Sequence, residues 1–294
     1  MRKAFPTVGI IGAGPLAQMF LSPAADLGIE LLLLEDDPKE LETVRAFAIK
    51  CDVVTFAEDG IPLSVIKTLE AEGIAFRPSS AVIEYSNNKA AKEQARDSEY
   101  EITVLVARSP HGQAATWAPT QVFQNNGNSM MTIAPALQLP PELSEQAQKL
   151  ALDLAVEVGA VGVMAVEMFV QNQKLSVSNL VLGPHVSGNW TIEGARTSQF
   201  EQHLRAVLDL PLGDPSMTAP TAVMGNVVAG NKSDMYRPYL HLMARTPALK
   251  FHQYKVDALP SKVVGHITLL GKDNAELIDE IQHALDYMSG EIDE

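Results

Sequence analysis

The chain has one cysteine in 294 residues, Cys51, which excludes an internal disulfide framework and fits a reducing compartment. Its place before the apolar run Asp52-Val53-Val54 predicts a buried structural thiol rather than a nucleophile. Basic residues are scarce and scattered. With 22 Lys and Arg against 36 Asp and Glu, the formal charge is -14, and no basic run supplies the footprint that nucleic-acid binding needs. No stretch reaches the roughly 20 apolar residues of a membrane helix. The start, Met1-Arg2-Lys3 followed by Ala4-Phe5-Pro6-Thr7, has no long apolar core before a cleavage site, and Val8 to Ile11 runs straight into glycines. There is no internal repeat and no low-complexity tract. These absences predict a cytoplasmic protein whose partners are small molecules or other proteins, with no nucleic acid and no membrane.

What is present suits a packed core: 46% hydrophobic and 20% charged residues are ordinary for a globular chain. The first hundred residues alternate short apolar strands with helices. Strands are expected at Val8–Ile11, Ile29–Leu34 and Val53–Phe56, and helices over Pro15–Leu27, Lys39–Ala48 and Pro62–Glu72, a grammar of parallel sheet covered on both faces. From Glu101 the pattern changes to antiparallel strands, Ile102–Ala107 and Ala114–Val122, around the turn Ser109-Pro110-His111-Gly112. Residues 142–158 place Leu143, Ala147, Leu150, Leu154 and Val158 on one helical stripe. Strands return at Val161–Val170 and Lys174–Val181, then a helix over Ser198–Leu208, strands near Ala222–Met224 and Lys262–Leu269, and a closing helix over Asn274–Met288. The expected fold class is α/β: a doubly wound, Rossmann-like domain (1–97), an α+β lobe (98–212) and a small β-rich C-terminal unit with a closing helix (213–294).

Gly12-Ala13-Gly14-Pro15 lies between a strand and a helix, and Glu35 ends the next strand. Glycines there permit close approach of a phosphate to helix N–H groups, and an acid at that spacing suits ribose hydroxyls. The same glycines serve equally to let a helix pack closely on the sheet. Both readings stand on these residues alone, and a nicotinamide- or flavin-binding protein is one of the functions they allow.

Longer runs are more specific. Met164-Ala165-Val166-Glu167-Met168-Phe169, Gly183-Pro184-His185-Val186-Ser187-Gly188-Asn189-Trp190 and Thr197-Ser198-Gln199-Phe200-Glu201-Gln202-His203-Leu204 resemble the ATP-grasp carboxyaminoimidazole ribonucleotide synthases of purine biosynthesis in order and spacing. Arg77 to Gln94, Tyr100 to Gly112, Thr132 to Ala136 and Gly265 to Thr268 extend the resemblance over nearly the whole chain. It implies an ATP-grasp fold and an enzyme that uses ATP and bicarbonate to carboxylate an exocyclic amine, assembled as a dimer. Between Lys92 and Tyr100, where the family holds its ATP-binding segment, only eight residue steps remain, a reach of roughly 28 Å at full extension. A linker fits there; a folded nucleotide-binding lobe does not.

Carried over position by position, the resemblance keeps the scaffold and loses reactive groups. The family's two magnesium-holding acids fall on Glu167 and Asn179, so one carboxylate is an amide and the site for a hard dication is weak. The family's Arg-Pro-His-Asn-Ser-Gly-His reads Gly183-Pro184-His185-Val186-Ser187-Gly188-Asn189, retaining His185 and Ser187. Gln121-Val122-Phe123-Gln124 stands where the family has an acid and an imidazole, and Ser86-Asn87-Asn88 where it has Gln-Asp-Arg. The C-terminal phosphate element is reduced to Lys255 and Lys262, which attract an anion as point charges without the fork of arginine. Removing one donor aimed at a transition state costs on the order of 100- to 1,000-fold in rate, and several are missing. The expectation is a homologue with no intact catalytic residue and no bound ATP or magnesium. Ligand-binding candidates are Gly12, Gly14, Glu35, His185, Ser187, Lys255 and Lys262, for a small phosphorylated or nucleotide-like ligand, in a homodimer, with a protein partner as a further role. The rival readings are a working ligase and a dinucleotide-binding protein.

Overall fold

Short apolar runs set apart by glycine turns form the first layer. In the computed structural model, which describes residues 5–57, 60–89, 98–125, 129–230, 236–256, 259 and 262–292, strands β1 (Thr7–Ile11), β2 (Glu30–Leu34) and β3 (Val53–Phe56) make a parallel sheet of order β2-β1-β3. Val8 lies opposite both Leu31 and Val53, and β1 is buried along its whole length, as a strand covered on both faces should be. The helix expected over Pro15–Leu27 is two: α1 (Pro15–Gln18) and α2 (Leu21–Asp26). Pro23 explains the break, since it has no N–H for the carbonyl of Met19 and its ring crowds that carbonyl. Helices α3 (Leu41–Ala48), α4 (Leu63–Ala71) and α5 (Ser80–Lys89) follow. Cys51 is half-buried; its Sγ lies 3.6 Å from the Phe47 carbonyl and fills the space a side chain at Gly9 would occupy.

The second layer is antiparallel. Strands β4 (Tyr100–Arg108), β5 (Ala114–Thr116), β6 (Thr120–Asn125) and β7 (Ser129–Ala134) lead to α6 (Pro141–Val158), then β8 (Gly162–Gln171), β9 (Lys174–Leu182), a 3-10 turn (Val186–Gly188), α7 (Thr191–Gly194) and α8 (Gln199–Val207). The chain closes with β10 (Thr221–Val228), α9 (Tyr236–Arg245), β11 (Lys250–Gln253), β12 (Val263–Gly271) and α10 (Asn274–Ser289). One nine-stranded sheet runs β11-β12-β10-β7-β6-β4-β8-β9, with β5 beside β4. Residues 98–212 and 213–294 therefore share a sheet, because β10 enters between β7 and β12. The strand expected over Ala114–Val122 is split between β5 and β6 at Trp117-Ala118-Pro119, where proline cannot donate to the ladder.

Alternation divides this sheet into two faces. On one, Ile102, Val104, Val106, Met164 and Val166 pack against Leu143, Ala147, Ala151 and Leu154 of α6, and Val223, Ile267 and Leu269 against Leu277, Ile281 and Leu285 of α10. On the other lie Leu105, Ala107, Ala165, Ala222 and Met224 with Trp117 and Trp190. In this second cluster the Trp190 indole N–H finds an acceptor in Thr120 Oγ1 at 2.9 Å. An apolar stripe of α8, Phe200, Leu204 and Val207, packs into the parallel domain beside Val8, Ile10 and Phe20, and the Phe20 and Phe200 rings meet edge to face at 5.2 Å.

A polar pin reinforces that joint. His203 Nδ1 accepts the Val163 N–H at 3.0 Å, which places the proton on Nε2, 2.8 Å from Thr55 Oγ1. The imidazole is fully buried, and burial pushes its pKa down to about 3. Gly162 makes room for it: its φ is +101°, and a Cβ there would come within 2.7 Å of the ring.

Candidate functional site

The second face of the large sheet carries its polar side chains in register. Glu167, in the middle of β8, lies opposite Thr103 on β4 and Asn179 on β9. Glu101, two residues before Thr103, points to the same face and lies opposite Val122. Beyond β9 the chain turns at Gly183, whose φ is +129°, and brings His185 back over this face. The result is a cavity of about 350 Å³ bordered by Glu101, Gln124, Glu167, Asn179, His185 and Val186.

Its electrostatics are anionic. His185 Nε2 is 3.4 Å from Glu167 Oε1. Burial lowers the pKa of His185, partly offset by Glu167, so near neutral pH the ring supplies a hydrogen bond and no positive charge. Burial raises the pKa of Glu101, and the neighbouring Glu167 raises it further. None of the described residues lining the cavity is Lys or Arg. Ser187 Oγ is 2.8 Å from His185 Nδ1, and the Ser187 N–H donates to the same nitrogen at 3.4 Å. Ser187 is buried behind the imidazole and outside the cavity lining, so its hydroxyl orients His185 and is not presented as a nucleophile.

Two carboxylates of this cavity, Glu167 and Glu101, could face a magnesium ion, whereas across the β8–β9 ladder Glu167 meets the amide of Asn179, a neutral ligand where a hard dication carrying phosphates is better held by an anionic oxygen. Among the described residues there is no group of three or more His, Cys, Asp or Glu side chains placed to hold a metal ion.

The glycine-loop candidates come together elsewhere. Gly12, Gly14 and Glu35 border a cavity of about 390 Å³ at the end of the parallel sheet. The Gly12 N–H already donates to the Leu34 carbonyl at 3.4 Å, α1 is four residues long with proline in its first turn, and Asp36 and Asp37 share the rim with a single cation, Lys39. These groups disfavour a phosphate and leave room for hydroxyls that donate to the carboxylates.

A third cavity, about 570 Å³, lies between α1, α2 and β11. Lys255 and Arg196 line it together with His252 and Tyr254. Lys262 is exposed and is not one of its lining residues, so the two lysines do not converge there. Glu101 and Arg196 are site residues that sequence reading missed. The available signal for Glu101 was its alternation with Thr103 in an otherwise apolar strand; for Arg196 there was none, because its cavity is assembled from distant segments.

An ATP-grasp domain model matches residues 53–200. The N5-carboxyaminoimidazole ribonucleotide synthase of Mycobacterium tuberculosis is 33% identical over 377 residues, covering 97% of this chain and 88% of that protein. That span exceeds the 294 residues of this chain, so the relative carries a segment with no counterpart here. The Escherichia coli enzyme of the same name is 33% identical over 197 residues, 65% of this chain and 53% of that one. Among solved structures, the Aspergillus clavatus N5-carboxyaminoimidazole synthase in complex with ADP and aminoimidazole ribonucleotide superposes with a TM-score of 0.86 at 22% identity, covering 97% of this chain and 99% of that one. The Thermus thermophilus synthetase superposes with a TM-score of 0.83 at 22% identity, over 97% and 99% of the two chains.

Proposed function

Because the chain belongs to the N5-carboxyaminoimidazole ribonucleotide synthase family of purine-biosynthesis ligases, we propose that it is a member without ATP-dependent carboxylation, which binds a phosphorylated, nucleotide-like small molecule between its lobes. One observation carries the reading: the cavity around Glu167 holds two carboxylates, a neutral imidazole and no Lys or Arg among its described lining residues. Bicarbonate and a triphosphate are anions. Like charges in a partly buried cavity repel them, and the amide at Asn179 weakens the dication that would offset the repulsion. The cations lie instead at the larger cavity, where Lys255 and Arg196 can meet a phosphate group in competition with Asp26 and Glu201 of the same lining and with Asp214, 3.5 Å from Arg196 Nε. A cytoplasmic homodimer is the assembly and location that accord with this reading.

The test is calorimetry with aminoimidazole ribonucleotide, AMP, NAD and ATP with magnesium. Saturable binding of a monophosphate, weakened about tenfold or more by Lys255→Ala with Arg196→Ala, is expected, with no magnesium-dependent gain for ATP. Magnesium-dependent ATP binding tighter than that of either monophosphate would contradict it. A dinucleotide held by Gly12, Gly14 and Glu35 is the rival reading; the acids around that cavity oppose its pyrophosphate, and absence of saturable NAD binding disposes of it.

A further inference from the structure

Gln199, the first residue of α8, is fully buried and makes a two-way clamp on one residue of the neighbouring turn. Its Oε1 accepts the His185 N–H at 2.9 Å, and its Nε2 donates to the His185 carbonyl at 2.8 Å. The same Nε2 reaches Asn189 Oδ1 at 3.1 Å. From there Asn189 Nδ2 contacts Tyr254 Oη at 3.4 Å, and that hydroxyl lies 2.9 Å from His266 Nδ1. The His266 ring stacks on His252 with centroids 4.4 Å apart. His185 borders the carboxylate cavity, whereas Tyr254 and His252 line the larger one, and Asn189, Gln199 and His266 between them are fully buried.

The donor inventory makes the glutamine specific. One side-chain oxygen faces an N–H and one nitrogen faces two oxygens, an arrangement only an uncharged primary amide provides. Glutamate would offer no donor, and methionine of similar length neither donor nor acceptor. The surroundings leave little slack: a Cβ on Gly188 would come within 2.3 Å of Leu105 and 2.7 Å of Gln199 Oε1. Thr191 Oγ1 holds the backbone of Gln199 by accepting its N–H at 3.0 Å while donating to the Gly188 carbonyl at 2.6 Å.

We infer that Gln199 is a positioning residue that fixes His185 over the carboxylate cavity and, through Asn189 and Tyr254, makes that placement depend on the wall of the larger cavity. The two cavities are then ends of one connected site. The geometry behind this needs no ligand, so a failure of the ligand-binding proposal leaves the test below unaffected.

That test is nitrogen-detected NMR of the histidine rings at one fixed pH near neutrality, with hydrogen exchange of residues 185–189, on the full chain. In the unsubstituted protein His185 is expected as a single tautomer, with Nδ1 accepting from Ser187 and the proton on Nε2. In Gln199→Met this signature gives way to a tautomer mixture, and the His185 amide exchanges about tenfold faster, while His203 keeps its own pattern. Tyr254→Phe, which touches neither His185 nor Gln199, is expected to move the His185 ring resonances in the same direction by less. It decides alone if Gln199→Met does not fold. An unchanged His185 signature in either folded variant overturns the inference.

Discussion

The imidazole of His203 ties the folded state to pH. Its pKa is pushed down to about 3 by burial, against about 6.5 in an unfolded chain. Above about pH 6.5 both states are neutral and its contribution is fully present; as pH falls, the unfolded chain takes up a proton that the buried ring refuses. Stability is therefore lost progressively from pH 6.5 downward, by about 2 kcal/mol at pH 5 from this residue. His266, also pushed down to about 3, first by burial and then by His252, acts with the same sign. Urea midpoints at about pH 7.5 and 5 are expected to drop accordingly, with less of a drop in His203→Gln. At Asn179 the missing charge can be restored. Asn179→Glu gives Glu167 a carboxylate across the ladder, and a magnesium-dependent rise in Tm of a few degrees is expected in that variant alone. No rise in the variant would show that the amide is not what weakens the cation site.

Among the elements, α8 joins the two layers. Phe200 is fully buried between Phe20 and the parallel sheet, so Phe200→Ala is expected to cost about 3–5 kcal/mol in urea unfolding. A loss under 1 kcal/mol would mean that the stripe does not hold the joint. Gly162→Ala is expected to lose about 2 kcal/mol or more, from a positive φ and a clash with His203. The parallel strands were legible in the sequence because each is a continuous apolar run, as was α6, whose stripe repeats over 18 residues. Less visible were α5, mostly polar and without strong periodicity, and the four-residue β11, stabilised through its pairing with β12. The site was legible in part. Glu167, Asn179 and His185 stood out through family resemblance, whereas the role of Glu101 depends on a strand register that local pattern does not encode, and Gln199 reads as an ordinary first-turn residue until its partners are assembled.

Over the whole molecule, one nine-stranded sheet takes in strands from Tyr100 to Gly271, and α8 joins it to the parallel domain. The relative's extra length has no counterpart in these 294 residues, and the departures that the family resemblance implies at Asn179, Gly183 and Val186 lie outside the passage from Lys92 to Tyr100, most of which is beyond the described residues. On the proposed reading, such dispersed departures follow from relaxed demand for ATP chemistry rather than from a single excision. If the chain pairs with itself as proposed, sedimentation equilibrium should give about twice the 31.8 kDa chain mass, and a monomer at all concentrations would contradict the pairing.

The most direct measurement is ADP release from ATP and magnesium in the presence of aminoimidazole ribonucleotide and bicarbonate, comparing the protein with Glu167→Gln. Rates indistinguishable from the variant, with or without the ribonucleotide, are expected; ribonucleotide- and bicarbonate-dependent ADP release that Glu167→Gln abolishes would establish a working ligase and contradict the proposal.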